Sequence, residues 1–593
     1  PPVSGRTVLA SGTLLALALF IHFSRSPSTL TAIDGIEMKQ NLEEKVGTSQ
    51  SRLYGKDVSG VEDAKPNVIF ILIDDMGWDD IGYQSSDLSN MTPTLDAMAA
   101  KGVKLSNYYS ENVCTPARAA LMTGRHTHRY GMQLKYIMNP APWGLPLDEV
   151  TVANRFKGAG YQTHMVGKWH LGFYAEDFLP SNRGFDTFLG FLGGDETYVT
   201  HEWCDKYGRG CFTDFGYGDK NGYIDKETNT PCLSSDYDGV HSATAYVDAA
   251  LEATTRSLEE AAAAGVEPDP MFLFFSSQAP HNPLESPDNS SFTEEDLYQL
   301  DLAVDGSVNS DRRTFAEMLY FMDKEIGRMM TRLGELGVLD DAIVVVASDN
   351  GACPNAGGSN FPLRGTKHSY FEGGLHVPAF VFSESRMPTQ VQGTTYDGLM
   401  HVTDWVTTLA GPAGLPLDGN ELDGVDHWNA LSGVSRGAPM RTEIMLGYED
   451  YEFDEDLQQT IRVDPRGGFI WGDWKVIVQD WCVSHYTQND FSEVPTGLCS
   501  DDNGECFSCE GCYGRMDCTE TNFLFNLKND PQELVRQNGI LFTPTSFPPL
   551  GHQSCPSSPL CWPQPAELLS PLTLICPNKP RLLSWHESSG VLS

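Results

Sequence analysis

Two pairs of polar residues in this chain follow unbroken apolar runs. Asp74 and Asp75 come directly after VIFILI, and Asp349 and Asn350 follow IVVVA after one intervening serine. Adjacent carboxylates repel each other unless a cation lies between them, and ligands bind outside the carboxyl ends of strands in open α/β sheets. If the two strands are neighbours, three carboxylates and one amide oxygen meet, a set that suits Ca²⁺ or Mg²⁺ rather than zinc. Solvated Asp-Asp and Asx turns are the alternatives for each pair taken alone.

A second group of candidate site residues is basic. Lys168 and His170 are two apart in GKWHLG, so an extended backbone points both side chains the same way. His281, in QAPHNP, follows the apolar run MFLFFSS and is well placed for acid–base chemistry. Lys367 follows the Asp349 segment closely enough to reach the same pocket. A surface loop around a packed tryptophan, and a structural histidine, are the alternatives here.

The stretch VCTPARAALMTGR (113–125) places a cysteine at the start of a predicted short helix. Pro116 fits the first helical turn, so Cys114 lies at the positive end of the helix. Arg118 is four residues further on the same face and can reach a group at position 114. A plain thiol nucleophile and one half of a disulfide are the alternatives for this cysteine, but neither explains the four hard-metal ligands.

These motifs, in this order along the chain, resemble the signature of the sulfatase family. The motifs are DD after a strand, Cys-x-Pro-x-Arg, GKWH, PH and SDNG, and the resemblance runs from about Pro66 to Asp404. LFNLKNDPQEL adds a C-terminal match. The stretches ETYVTHEWC, NFPLRGTKHSYFEGG and HVTDW look like the arylsulfatase B (N-acetylgalactosamine-4-sulfatase) branch, whereas arylsulfatase A-like and bacterial polysaccharide sulfatases are less similar.

The resemblance implies roles for the residues that match the family's motifs. Cys114 matches the cysteine that a formylglycine-generating enzyme oxidises to formylglycine in the secretory pathway, after reading Cys114, Pro116 and Arg118. Ala117 stands where Ser or Thr is usual, and conversion is still expected. One Ca²⁺ is implied, and its ligands match Asp74, Asp75, Cys114, Asp349 and Asn350. The catalytic residues around the sulfate match Cys114, Arg118, Lys168, His170, His281 and Lys367.

The implied activity is that of an arylsulfatase-type sulfuric ester hydrolase acting on a sulfated sugar or an aryl sulfate. One hydroxyl of the hydrated aldehyde, a geminal diol, attacks sulfur and gives a covalent sulfo-enzyme. Lys168 and Lys367 neutralise the sulfate oxygens, and His281, with Lys367, protonates the departing alcohol. His170 then takes the proton from the second hydroxyl, and sulfate leaves as the carbonyl re-forms.

Two other functions stay open for this sequence. One is a phosphomonoester or phosphonate hydrolase of the same superfamily, which uses similar metal ligands. The other is a catalytically degenerate, secreted glycan-binding protein, although every expected site residue is present.

Apolar runs and helix-like segments alternate along the chain. The predicted strands are 68–73, 271–277, 342–351 and 377–382, and the predicted helices are 92–102, 150–160, 240–265 and 313–337. This alternation predicts an α/β catalytic domain over 66–440, with a large, mostly parallel central sheet flanked by helices. The family resemblance implies an alkaline-phosphatase-like sandwich.

The chain changes character after the predicted catalytic domain. GGFIWGDWKVIVQD (467–480) predicts a hairpin, and LFNLKNDPQELVRQ (524–537) predicts a strand end and a short helix. With the cysteines between them, these elements predict a smaller C-terminal α+β domain over 441–540. Residues 541–593 are rich in Pro and Ser and are expected to be a disordered tail.

Several features indicate the secretory pathway, with a lysosomal or extracellular destination. The apolar run at 7–23 predicts a signal peptide or an uncleaved signal anchor, followed by a linker to residue 65. Asn90 and Asn289 lie in glycosylation sequons. The 14 cysteines suit an oxidising compartment, so disulfides are expected within the late cluster at 482–518 and between Cys204 and Cys211. A zinc or iron–sulfur site in CFSCEGC is the alternative for the late cluster.

The charge of the chain limits its partners. Its formal net charge is −40, from 80 acidic and 40 basic residues. Such a surface repels nucleic acid and anionic membrane, and membrane contact is expected only if 7–23 is an uncleaved anchor. An acidic body also suits a terminal sulfate ester better than a long polyanion, so an exo-acting enzyme is predicted.

Overall fold

The computed structural model describes residues 64–133, 136–139, 141–204, 210–219, 224–225, 230–231, 237–304, 310–435, 440–454, 459–480 and 522–533. Within these ranges no helix combines the length and apolar character that crossing a membrane requires. The predictions for 7–23, for the cysteine cluster at 482–518 and for the tail at 541–593 concern residues outside the described part of the chain.

The strands and helices alternate through most of the described chain. The strands are β1 Asn67–Ile73, β2 Val103–Leu105, β3 Tyr108–Tyr109, β4 Gln162–Gly167, β5 Thr187–Gly190, β6 Trp203–Cys204, β7 Cys211–Phe212, β8 Gly216–Asp219, β9 Ile224–Asp225, β10 Thr230–Pro231, β11 Met271–Ser276, β12 Ala342–Ser348, β13 Ala379–Phe382, β14 Thr394–Tyr396, β15 Met400–His401, β16 Glu443–Asp454, β17 Gln459–Trp471, β18 Trp474–Val478 and β19 Phe523–Asn526. The helices are α1 Pro93–Lys101, α2 Cys114–Thr123, α3 Val152–Gly158, α4 Ser242–Ala264, α5 Glu294–Ala303, α6 Ser310–Glu335, α7 Glu372–Leu375, α8 Asp404–Ala413 and α9 Trp428–Leu431.

The main sheet has nine strands in the order β14-β2-β13-β12-β1-β11-β4-β5-β8. Its five central strands, from β12 to β5, are mutually parallel. The pairs β12–β13, β13–β2 and β5–β8 are antiparallel, so the sheet as a whole is mixed. The expected α/β fold with a central parallel sheet is therefore confirmed, and antiparallel pairs occur only towards its two edges.

Alternate residues of β1 enter two separate hydrophobic cores. Phe70 belongs to the core with Trp405 of α8 and Phe156 of α3. Ile71 belongs to the core that contains Met322 of α6 and other apolar residues of α4 and α6. A strand buried on both faces needs apolar side chains at every buried position, which explains the unbroken run VIFILI at 68–73. Helices thus cover both faces of the sheet.

A smaller antiparallel sheet, in the order β16-β17-β18-β19, follows the main one. The predicted hairpin at 467–480 is confirmed as the end of β17 and all of β18, which pair as antiparallel strands. β19 confirms the strand predicted at 524, but residues 527–533 form turns instead of the predicted helix. Asn526 accounts for these turns, because its side-chain oxygen and carbonyl accept from the backbone N–H groups of Asn529 and Asp530. Residues 534–537 of that predicted helix lie outside the described ranges.

The short disulfide loop predicted from the sequence is present. Cys204 and Cys211 are bonded and end the antiparallel pair β6–β7. Cys353 is also disulfide-bonded. Among the described residues, Cys114 is the cysteine with a free thiol, and it is buried.

Candidate active site

Four neighbouring parallel strands place the predicted site residues at one edge of the main sheet. Asp74 and Asp75 follow β1, and Asp349 and Asn350 follow β12, the strand that pairs with β1. The segments with Lys168 and His170 follow β4, and the segment with His281 follows β11. All four segments leave the carboxyl ends of their strands, where α/β sheets bind ligands.

The acidic residues form one buried cluster. The backbone N–H of Asp75 donates to Asp349 Oδ1 at 3.2 Å, and Asn350 Nδ2 donates to Asp75 Oδ1 at 2.6 Å. Asp74, Asp349 and Asn350 are at most 1% exposed. Burial and the neighbouring Asp74 raise the pKa of Asp349, and Arg118 acts in the opposite direction. Such a concentration of buried carboxylates needs compensating positive charge.

Cys114 is the first residue of α2, and its side chain points at this cluster. The Sγ atom lies 3.5 Å from Asp74 Oδ1, and the residue is 2% exposed. Burial raises the pKa of the Cys114 thiol, while Lys168 and Lys367 lower it. α2 has no side-chain cap at Val113, so its first N–H groups and positive end face the same region.

Arg118 connects the acidic cluster to the neighbouring strands. Its Nε and one terminal nitrogen donate to Asp349 Oδ2 at 3.1 and 2.8 Å. The other terminal nitrogen donates to Ser276 Oγ at 2.6 Å and to the Lys168 carbonyl at 3.2 Å. The guanidinium also lies 3.4 Å from Asp74. Arg118 therefore holds carboxylates and strand ends together, a structural contribution that the spacing Cys-x-Pro-x-Arg does not reveal.

Two buried lysines approach the cluster through different carboxylates. Lys168 Nζ donates to Asp74 Oδ2 at 2.6 Å, and Lys367 Nζ donates to Asp75 Oδ2 at 2.8 Å. Lys367 Nζ is also 3.1 Å from His281 Nε2. His281 Nδ1 lies 2.5 Å from the Asn282 carbonyl, so an Nδ1 proton donates there and leaves Nε2 as the acceptor towards Lys367. Lys367 and His281 thus form a hydrogen-bonded pair beside Asp75.

His170 occupies a different position from His281. Its Nε2 donates to the Ile137 carbonyl at 2.9 Å, and its own carbonyl accepts from Thr115 Oγ1 at 3.2 Å. The Nδ1 atom is buried and has no hydrogen-bond partner. Burial, followed by the charges of Lys168 and Arg118, lowers the pKa of His170 well below its usual value. The imidazole is therefore neutral, and Nδ1 is a free acceptor at the site.

The donor atoms fit a hard divalent cation. Ligand atoms of Asp74, Asp75, Cys114 and His281 all lie within 4.8 Å of one another. The side-chain oxygen of Asn350 is buried without a hydrogen-bond partner, although buried polar atoms normally have one. A cation coordinated by Asn350 and the adjacent carboxylates would satisfy that oxygen, and oxygen ligands favour Ca²⁺ or Mg²⁺.

The structure brings every sequence-predicted site residue to this edge of the sheet. Sequence reasoning missed Ser276, which accepts from Arg118 and donates to the Lys168 carbonyl at 2.8 Å. It also missed that His281 lies among the potential metal ligands. Ser276 is the last residue of β11. Its position at a strand end was the sequence signal that could have identified it.

Comparison with known proteins gives a consistent result. The profile of the family described as Sulfatase matches residues 66–415. Arylsulfatase J of Mus musculus is 37% identical over 435 residues, which cover 73% of this chain and 66% of that protein. Arylsulfatase A of Homo sapiens is 32% identical over 402 residues, which cover 65% of this chain and 71% of that protein. The chain thus spans about two thirds of the length of these relatives.

Solved structures agree with the fold. Ps i-CgsB has a TM-score of 0.59 at 23% identity, covering 80% of this chain and 89% of that chain. The PsFucS1 sulfatase from Pseudoalteromonas sp. has a TM-score of 0.56 at 21% identity, covering 85% of this chain and 88% of that chain. These similarities confirm the expected alkaline-phosphatase-like architecture.

The specific arylsulfatase B type stays a prediction, because the matched relatives include several kinds of sulfatase. The profile match, however, covers more than half of the chain and contains all of the predicted site residues. The chain therefore belongs to the sulfatase family, a family of sulfuric ester hydrolases.

Proposed function

We propose that this protein hydrolyses a sulfate ester of a sugar or an aryl alcohol, using formylglycine made from Cys114 and one bound Ca²⁺. One observation carries the proposal: Cys114 at the start of α2 converges with Lys168, Lys367 and the buried acidic cluster at the ends of adjacent strands. This arrangement combines a modifiable side chain with the positive charges that a sulfate needs.

Asp74, Asp75, Asp349 and Asn350 would hold the Ca²⁺, together with the modified side chain at 114. When bound, the ion neutralises negative charge on the sulfate and lowers the pKa of a hydroxyl that contacts it. The orphaned Asn350 oxygen supports this assignment. Arg118 keeps Asp349 oriented for it through the two hydrogen bonds described above.

Formylglycine at position 114, once hydrated, would offer a nucleophilic hydroxyl for attack on sulfur and a second hydroxyl whose deprotonation would allow sulfate to leave. Lys168 and Lys367 would bind the sulfate oxygens, since both ammonium groups are buried and aimed at the cluster. Lys367 and His281 share a hydrogen bond of 3.1 Å and would deliver a proton to the departing alcohol. His170, neutral and with Nδ1 free, would accept a proton from the second hydroxyl.

A sulfated carbohydrate is the proposed natural substrate. One relative, 31% identical over 391 residues, is the N-acetylgalactosamine-6-sulfatase of Canis lupus familiaris, and Ps i-CgsB was crystallised with k-i-k-neocarrahexaose. The net charge of −40 opposes binding of a long polyanion. We therefore propose that the enzyme removes terminal sulfates. Faster release of internal sulfates than of terminal sulfates would contradict this specificity.

Maturation in the secretory pathway belongs to the same proposal. A formylglycine-generating enzyme would be the maturation partner, and the destination would be lysosomal or extracellular. The disulfide Cys204–Cys211 suits an oxidising compartment. The boundaries 66–440 and 441–540 remain our proposed division between the catalytic and the smaller domain.

The direct test compares sulfate release from an aryl sulfate with phosphate release from the matched aryl phosphate. We expect faster hydrolysis of the sulfate, loss of activity on chelation and its recovery with Ca²⁺. Faster hydrolysis of the phosphate would instead support the phosphohydrolase alternative. No hydrolysis by a protein fully modified at position 114 would support the glycan-binding alternative.

A further inference from the structure

A second group of metal-binding side chains lies outside the catalytic cluster. One ligand atom each from Glu111, His126 and His401 lies within 4.8 Å of the other two. Glu111 precedes α2, His126 follows it, and His401 lies on β15, which pairs with β3 through Tyr109. Residues far apart in sequence thus converge beside one helix.

Two nitrogens of this group are buried without a hydrogen-bond partner. They are His401 Nε2 and His126 Nδ1. His401 is completely buried and Glu111 is 2% exposed, and the two imidazole rings are 5.2 Å apart. Buried polar atoms without partners are uncommon in native proteins, and each calls for a ligand, water or ion.

Hydrogen bonds position the ring of His401 and the backbone of His126. His401 Nδ1 lies 2.9 Å from Thr403 Oγ1 and 3.4 Å from the Thr403 backbone nitrogen. Donation from Nδ1 to the hydroxyl, the closer of the two contacts, would leave a lone pair on Nε2. The backbone N–H of His126 donates to Asp423 Oδ2 at 2.9 Å. A hydrogen bond from the second ring nitrogen is the usual way in which a protein orients a metal-binding histidine.

The local charge is compatible with a cation. The carboxylate of Glu449 adds negative charge near Glu111. Arg441 lies near both histidines, but Asp404 neutralises it through a hydrogen bond of 3.0 Å from Nε to Oδ2. Burial and the neighbouring Glu449 raise the pKa of Glu111 to about 8, so a bound cation would replace the proton on its carboxyl group.

We propose that Glu111, His126 and His401 bind one Zn²⁺ ion, with a fourth position open to water. Two imidazoles and one carboxylate suit zinc, whereas the oxygen-rich catalytic cluster suits Ca²⁺. Ligands of a tetrahedral ion with bonds of about 2.1 Å lie about 3.4 Å apart. The three ligand atoms, now within 4.8 Å of one another, would draw together to that distance on binding.

The test measures Zn²⁺ binding to the purified full-length chain after chelation, in excess Ca²⁺ that occupies the catalytic cluster. Titration calorimetry should give one equivalent of Zn²⁺, and Co²⁺ should give the strong visible absorption of tetrahedral coordination. The variants are His126→Gln, which removes a ligand, and Thr403→Val, which removes only the hydrogen bond to His401. His128→Gln is the matched control, because the His128 ring stacks on His126 at 5.7 Å outside the group.

We expect His126→Gln to lose the one equivalent of bound Zn²⁺. Thr403→Val should weaken Zn²⁺ affinity roughly 10- to 100-fold, and His128→Gln should bind Zn²⁺ like the parent protein. Thermal unfolding without zinc shows whether each variant is folded. If His126→Gln is not folded, the Zn²⁺ affinity of Thr403→Val tests the site instead. The proposal would be overturned if the parent protein bound no Zn²⁺ under these conditions, or if folded His126→Gln and Thr403→Val bound Zn²⁺ with the parental affinity.

Discussion

Lys168 and Lys367 differ in their neighbours, although each is buried and paired with an aspartate. Lys168 Nζ lies 2.6 Å from Asp74, whereas Lys367 Nζ lies 2.8 Å from Asp75 and also contacts His281. Lys367 therefore combines two proposed tasks, binding of a sulfate oxygen and proton delivery to the leaving alcohol. At the scale of single residues, this pair is the most sensitive point of the proposed mechanism.

Replacing Lys367 with Met should lower kcat/KM for an aryl sulfate by about 10²- to 10³-fold, because a buried positive charge at the sulfate is lost. Steady-state kinetics on the metal-loaded protein measure this change. Lys101→Met is the matched control, since Lys101 pairs with Glu384 on the surface, where both side chains are well exposed. Equal effects of the two substitutions would contradict the role of Lys367.

The identities of the site residues could be predicted from sequence, but their contacts could not. Motifs such as GKWH and SDNG predict which side chains lie just after the end of a strand. The contact between Arg118 and Asp349, however, joins residues 231 positions apart. It depends on how α2 packs against β12, which local spacing does not determine. The same applies to the hydrogen bond between Arg118 and Ser276.

At the scale of elements, a close approach between β4 and β11 positions Lys168. Gly167 has φ 94°, and a Cβ atom on it would lie 1.8 Å from the Ser276 carbonyl oxygen. That carbonyl accepts from the Lys168 backbone N–H at 3.0 Å. Only glycine permits this approach at this backbone conformation.

Gly167→Ala should therefore destabilise the protein and lower sulfatase activity together, as β4 and β11 separate. Gly160→Ala is the matched control: it has φ 84° but open space around the added Cβ. The control should cost about 1–2 kcal/mol from backbone strain alone, with activity retained. Chemical denaturation and kinetics measure both, and equal losses of stability would show that the contact with Ser276 has no effect.

Asp323 of α6 joins α6 to the start of α1. Its two carboxylate oxygens accept from the backbone N–H groups of Thr94 and Leu95 at 2.8 and 2.9 Å. Burial raises the pKa of Asp323 from 3.8 to about 7, although the two backbone donors lower it. The folded protein therefore retains a proton that the unfolded chain releases.

This shift predicts how stability depends on pH. The contribution of protonated Asp323 is complete below its unfolded-state pKa of 3.8 and is lost as the pH rises through about 7. Asp323→Asn, which cannot ionise, should flatten the stability profile between about pH 4 and 7, while it weakens one of the two helix-end hydrogen bonds. Unfolding free energies of parent and variant across that range provide the measurement, and parallel profiles would contradict the shift.

The central strands could be predicted from sequence, whereas the edges of the main sheet could not. β1, β11 and β12 are long apolar runs, and burial on both faces requires such runs. β2 and β14 have three residues each, too few for a periodic signal. β2 pairs with β13, and β14 pairs with β2. The places of these two strands therefore depend on tertiary pairing, whereas the mostly parallel character of the sheet was predicted.

At the scale of the whole molecule, a buried ionic network connects the small sheet to the main body. Lys475 of β18 is completely buried and pairs with Glu372 of α7 at 2.7 Å and with Glu533 at 3.0 Å. Glu372 also accepts from Tyr109 of β3 at 2.8 Å. Aromatic side chains of both parts, including Phe371 and Phe525, share one hydrophobic core.

Lys475→Met should lower the free energy of unfolding by about 3–5 kcal/mol, because two buried carboxylates lose their shared partner. Lys528→Met is the matched control, since Lys528 lies 3.8 Å from Asp473 on the surface with both side chains mostly exposed. Its cost should be about 0–1 kcal/mol. Denaturant titrations compare the two, and a small effect at Lys475 would show that the network does not stabilise the junction.

The central claim is that Cys114 becomes formylglycine and that this group releases sulfate. The most direct measurement is the mass of the peptide containing residue 114, taken on the same preparation whose sulfate release is assayed after co-expression with the maturation enzyme. We expect a mass about 18 Da below that of the cysteine form, since oxygen replaces sulfur and two hydrogens are lost. Sulfate release should rise in proportion to the modified fraction. A preparation that retains an unmodified thiol at this position and still liberates sulfate would contradict the account.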